Sequence, residues 1–143
     1  MHILHVTPYY PPTWAYGGIP RIVDGLSRAQ EQQGHRISVL TTDVFDAHKR
    51  NGLPLFREEH NIQIINLPNL SNRLAHRQLF LPQKQHVLQT ISRPDIIHMH
   101  GHRHLLNDIA YRYAKKNNIP FVLTANGTLH RHERWITIKK LWD

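Results

Sequence analysis

Five short apolar runs set the rhythm of the chain. They are His2–Val6, Arg36–Thr42, Ile62–Leu67 and the segments 94–100 and 120–125, each bounded by Pro, Gly or Asn. Near-continuous Ile, Val and Leu over so few residues predict strands buried on both faces, as in a parallel sheet. Between them the apolar spacing widens to three and four. Ile22, Val23, Leu26 and Ala29 form one face of a helix over 21–34, with Asp24, Arg28 and Glu31 on the wet side and Gly34 as its stop. Leu105, Leu106, Ile109, Ala110, Tyr113 and Ala114 form a second stripe through Lys116, closed by Asn117-Asn118. Trp135, Ile138 and Trp142 predict a last helix over 132–142. Segment 43–60 reads as polar and irregular, with a turn at Asn51-Gly52. Segment 72–92 reads as helical pieces interrupted by Pro82. Strand, helix, strand in alternation predicts right-handed βαβ units. The fold class expected is α/β: a Rossmann-like, open, mostly parallel sheet of about five strands with helices on both faces, in one domain over 1–143.

Composition narrows this picture. At 143 residues and 40% hydrophobic content the chain supports one packed core. No apolar run reaches the roughly 18 residues of a membrane span, and no basic region with a long apolar core suggests a signal peptide. The absence of Cys excludes disulfides and thiolate metal sites and suits a cytoplasmic protein. The net charge of +8 is uneven: segment 1–60 is neutral, 61–102 carries +3 and 103–143 carries +5. A basic second half favours anionic partners or is simply a solvated face. Arg73, His76, Arg77, Lys84 and His86 surround Leu79-Phe80-Leu81, which would suit peripheral contact with an anionic membrane.

The chemistry concentrates where the strands end. Ligands on open α/β sheets bind beyond the carboxyl ends of the strands. There, Pro8 to Pro12 and then Gly17-Gly18 join the first strand to the first helix. A glycine pair in that position lets a ligand approach backbone N–H groups at a helix N-terminus, or it is only a tight connection. Further on, His98, His100, His102 and His104 occupy every second position. Alternate strand positions share a face, which is one requirement of a metal site. The run crosses Gly101, however, so the rings are expected to fan out, and no acidic residue lies nearby to orient them. No metal is therefore expected, and His100 with its loop neighbours is read as lining a polar cleft. Asn126-Gly127-Thr128 closes the fifth strand with groups that bind hydroxyls. Ser-x-x-Lys, G-x-S-x-G, Walker A and H-E-x-x-H patterns are absent, which disfavours those hydrolase, nucleotidase and zinc-protease routes.

Several of these stretches together resemble one family. Ile3 to Pro12 followed by Tyr16-Gly17-Gly18-Ile19-Pro20-Arg21 resembles the opening of the retaining glycosyltransferases of family four, which have the two-domain GT-B fold. Gly34 to Thr41, Pro94 to Gly101 and Ile119 to Leu129 resemble their second, fourth and fifth strands. The resemblance implies an N-terminal, acceptor-binding domain. In the whole enzyme a nucleotide-sugar held by the C-terminal domain would react in the cleft with a saccharide or lipid-linked acceptor. The anomeric configuration would be kept, with no bound metal or other cofactor. It implies that Gly17 and Gly18 lie against the donor diphosphate and sugar. Tyr16, Arg21, His102, Arg103, Gly127 and Thr128 would complete the donor and acceptor contacts, and Asn126 and His100 would be the catalytic candidates. Many members carry His at the position of Asn126, so this chain departs from the pattern at the transferred sugar. The family's C-terminal domain, with its Glu-x7-Glu motif, has no counterpart in 1–143, and these residues alone are expected to be inactive. The location implied is cytoplasmic, with a peripheral position at the inner membrane face as a variant. A stand-alone α/β module that binds a polyanion or protein through its basic half is the alternative from another class, although nucleic acid is not expected as a partner. A nucleotide-sugar epimerase with a similar first half is a further enzyme reading.

Overall fold

The computed structural model describes residues 1–126, apart from 47, 78 and 103. In chain order the elements are β1 (His2–Val6), α1 (Gly18–Gln32), β2 (Arg36–Thr42), β3 (Phe56–Glu59), β4 (Ile62–Leu67), α2 (Asn72–His76), β5 (Ile96–His100), α3 (Leu105–Lys116) and β6 (Phe121–Thr124). Short 3-10 turns stand at Trp14–Tyr16 and Gln85–Gln89. The helix expected at 132–142 lies outside the described residues.

The strands form one sheet in the order β3-β4-β2-β1-β5-β6. All neighbours are parallel except β3 and β4. The chain winds outward from β1 to β2 and β4, then returns past β1 to β5 and β6. The strand order therefore reverses between β1 and β5, and the loops that leave these two strands diverge there.

Side-chain alternation divides the core into two layers. Leu4, Val6, Leu40, Ile65, Ile97 and Met99 face α3, through Leu106, Ala110 and Ala114. Ile3, Ile37, Val39, Ile62 and Ile64 face α1, through Val23. Helices therefore cover both faces, as the alternating pattern predicts. α1 ends at Gly34, whose N–H donates to the Glu31 carbonyl at 2.8 Å. Among the described residues no helix is long and apolar enough to cross a membrane.

One correction concerns strand number. Among the described residues the sheet has six strands, one beyond the about five read from the sequence, because Phe56–Glu59 inside the segment read as irregular pairs antiparallel with β4. Its sequence, Phe-Arg-Glu-Glu, carries no apolar alternation because it is an edge strand with no buried residue of its own. Charged residues on an edge also deter pairing with other chains. This strand matters to the site, since Arg57 pairs with Glu59 and donates from Nη2 to the Pro11 carbonyl at 2.6 Å.

Candidate functional site at the strand reversal

Two loops flank the point where the strand order reverses. The first, from Thr7 to Gly17, is long and proline-rich, yet its polar groups tie it to the sheet. Thr7 Oγ1 donates to the Tyr9 carbonyl at 2.9 Å, Thr42 Oγ1 to the Pro8 carbonyl at 2.7 Å and Thr13 Oγ1 to the Val44 carbonyl at 3.0 Å. All three threonines are buried. The Pro11–Pro12 peptide is cis. Tyr9 and Tyr16 stack with ring centres 4.0 Å apart, and Phe80 meets Tyr9 edge-on. The loop arrives at Gly17 with φ +86° and ψ −142°, a region essentially reserved for glycine. Gly18 then begins α1 with open space around it: a Cβ there would meet only Ile22 Cδ1, at 4.0 Å. Arg21, one turn in and exposed, donates to the Gly17 carbonyl at 3.2 Å and stands 5.9 Å from the Trp14 ring centre.

The second loop follows β5. Gly101 has φ +79°, and a Cβ on it would come within 3.3 Å of His104 Nε2. That close approach lets His104 Nε2 donate to the His100 carbonyl at 3.0 Å, while Asn107 Nδ2 donates to the Gly101 carbonyl at 2.8 Å. The loop is thus clamped from below by α3 and its N-terminal neighbour. Behind it, a pocket of about 250 Å³ opens between β5, α3 and β6, with His102, His104 and Asn107 among its walls. Asn126, just past β6, has φ +50° and an enclosed Nδ2 with no hydrogen-bond partner.

Residues 16–143 match the model of Glycosyltransferase Family 4. The chain belongs to glycosyltransferase family 4. The six-stranded sheet is the Rossmann-like half of the GT-B fold, and residues 1–126 contain the strand reversal at which such folds generally bind ligands. A comparison with curated proteins gives no match.

Within this family 4 domain, most of the sequence-derived candidates share one edge of the sheet. Tyr16, Gly17, Gly18 and Arg21 line the β1 side of the reversal. His102 belongs to the β5 loop and Asn126 to the end of β6. His100 is the last residue of β5 and is buried, at 1% exposure. Arg103, Gly127 and Thr128 lie outside the described residues.

The histidine run divides at Gly101. His98 and His100 keep to the α1 face of β5, with ring centres 4.1 Å apart, and His5 of β1 joins them from the neighbouring strand. His5 Nδ1 is 3.0 Å from His100 Nε2, and His5 Nε2 is 2.7 Å from Gln30 Oε1. His98 Nε2 is 2.7 Å from Thr124 Oγ1. Burial pushes the imidazoles of His5 and His104 down to about 4 and that of His100 to about 3. These rings are neutral at physiological pH. Among the described residues, Arg21 and the N-terminus of α1 bring positive charge to the reversal, and these three buried rings do not.

Sequence reasoning passed over His5, Gln30 and Asn107. His5 did leave a signal, as a polar residue at the centre of an otherwise apolar strand. Gln30 left none, because a glutamine near the end of a helix usually faces water.

Proposed function

We propose that this chain is the acceptor-side half of a retaining glycosyltransferase. The whole enzyme moves a sugar from a nucleotide-sugar to a saccharide or lipid-linked acceptor. Family membership supports sugar transfer in general. The observation that carries the finer reading is the unfilled space over Gly18 at the head of α1, beside a glycine-only turn at Gly17. Backbone N–H groups there are open to approach, and the positive end of the helix dipole favours a diphosphate. Arg21 adds a fixed charge one turn away.

In this reading Gly17 and Gly18 admit the donor's diphosphate and sugar, and Tyr16 and His102 border the acceptor side. The unpartnered amide of Asn126 donates to a hydroxyl of the transferred sugar. An amide cannot take up a proton at neutral pH, so Asn126 orients the sugar without acting as a base. His100 supports the β5 loop from beneath. Sugar and acceptor react in the cleft shared with the C-terminal domain, and the transfer step uses no resident metal. Most of the rate then comes from alignment of the two substrates, which half a cleft cannot supply.

The acceptor side includes a surface with the chemistry of a lipid headgroup region. Leu70, Leu79 and Leu81 are exposed around α2, and Arg73, Arg77 and Lys84 stand exposed beside them. Leucines ringed by basic residues favour an anionic bilayer surface. This supports a lipid-linked acceptor and a peripheral position on the cytoplasmic membrane face. The test is a screen of the full natural protein against nucleotide-sugars and lipid-linked or free saccharide acceptors, with the product anomer read by NMR. Transfer with the donor's configuration kept is expected. An inverted product, or epimerisation of the donor without transfer, would overturn the reading.

A further inference from the structure

Under α1, beneath the β5 loop, three imidazoles meet. One nitrogen from each of His5, His98 and His100 lies within 4.8 Å of the others. The rings come from adjacent parallel strands in register, with His5 opposite His98. His98 and His100 sit at i and i+2, so the pleat turns both toward the same side. Gly101 then redirects the chain, and His102 and His104 leave this face.

Proton placement at the cluster follows from its partners. Gln30 Oε1 only accepts, so His5 Nε2 carries the ring proton and His5 Nδ1 is a bare lone pair. His100 Nε2 must then donate to His5 Nδ1, across 3.0 Å. That leaves His100 Nδ1 as a second bare lone pair, enclosed and without a partner. One turn before Gln30 on the same helix, Ser27 is fully buried and its Oγ also lacks a partner. Polar atoms left unpartnered in a buried layer are costly.

We infer that His5, His98 and His100 form a binding site for one divalent transition-metal ion of the zinc class. Three neutral nitrogen donors without carboxylate or thiolate suit Zn²⁺ or its borderline neighbours and not Mg²⁺ or Ca²⁺. Three histidines plus water is the donor set of carbonic anhydrase. At Zn–N lengths of about 2.0–2.1 Å, tetrahedral nitrogens stand about 3.4 Å apart. The 3.0 Å His5–His100 pair needs only a slight opening once the His100 proton moves from Nε2 to Nδ1, and the third nitrogen an inward shift of up to about 1.4 Å. Gln30 already supplies the outer contact that a ligating His normally makes through its other ring nitrogen. His98, only partly buried, gives the entry path. The ion would tie β1 to β5 beneath the reversal and take no part in sugar transfer.

The test is calorimetric titration of the chelator-treated full natural protein with Zn²⁺ alone, without nucleotide-sugar, followed by substitution with Co²⁺. One Zn²⁺ per chain is expected, and the Co²⁺ form should show the intense visible bands of a tetrahedral nitrogen site. Gln30→Leu should weaken binding by about 10–100-fold, as loss of an outer contact does, and His98→Gln by at least as much. His48→Gln, at an exposed loop position, should leave it unchanged. The Co²⁺ spectrum needs no substitution, so it decides the matter even if His98→Gln fails to fold. Absence of stoichiometric uptake, a weak octahedral spectrum, or equal affinity in folded His98→Gln would each overturn the site.

Discussion

Adjacent glycines at the head of α1 do different work. Gly17 is fixed by backbone conformation, because φ +86° with ψ −142° excludes side chains even though space is open around it. Gly17→Ala should therefore destabilise the domain by about 1–3 kcal/mol, measured by denaturant unfolding. Gly18 has ordinary helical backbone and no close neighbour, so Gly18→Ala should be neutral or stabilising by up to about 1 kcal/mol. If both alanine variants unfold alike, the division of roles between the two glycines is wrong. Asn126 makes a comparable case at the other side of the cleft. Its Nδ2 has no internal partner to lose, but its φ of +50° suits Asn better than Ala, so Asn126→Ala should lower turnover in the full-length enzyme and cost no more than about 1–2 kcal/mol of stability. Unchanged kinetics would remove it from the sugar contacts. The glycine pair and Asn126 were visible in the sequence as residue types next to the ends of predicted strands. What set Gly17 apart from Gly18 was a dihedral angle, which no residue identity reveals.

Elements that bury a continuous apolar run could be read from the chain, and those that do not were missed. β1, β2 and β4 match the predicted boundaries, and α3 matches at both ends, because each has a periodic apolar face to bury. β3 has no such face, yet it exists because β4 offers an unpaired edge, and its Arg57 steadies the β1 loop through the Pro11 carbonyl. Segment 72–92 forms two helical pieces, as expected, but the first, α2, already ends at His76 before Pro82, and a 3-10 turn follows at Gln85–Gln89. The exposed leucines around α2 follow from that break, since residues 79–84 lie in no regular element. Charge reversal at Arg73, Arg77 and Lys84 should reduce binding to anionic liposomes several-fold or more, since each basic residue near the surface contributes about 1 kcal/mol. Sedimentation with vesicles measures it. Equal binding by the reversed protein would mean that these residues are only a solvated face.

Across the whole molecule, buried neutral histidines couple the fold to pH. His5, His100 and His104 stay unprotonated in the folded chain down to about pH 4 or below. The unfolded chain takes up protons on the same residues near 6.5, so it binds more protons between those limits. Stability should accordingly be level above about pH 7 and fall as the pH drops from 6.5 toward 4, by up to about 1.4 kcal/mol per pH unit for each histidine. Thermal melts of chelator-treated protein would show it, and a flat profile from pH 7 to about 4.5 would contradict the buried neutral assignment. The alternation of strands and helices foretold the doubly wound sheet, and hence the edge at which open α/β sheets generally bind ligands. It could not foretell that His5 would meet His98 and His100, because that contact joins positions far apart in the chain through strand register alone. The proposed role of that edge is tested most directly in the full natural protein, by comparing wild type with Gly18→Trp for sugar transfer and nucleoside diphosphate release. A tryptophan should fill the space over the head of α1 without disturbing the fold. The expected result is a loss of transfer of about 100-fold or more at an unchanged melting temperature. A folded Gly18→Trp enzyme that transfers sugar at the wild-type rate would contradict the assignment of this crevice to the donor.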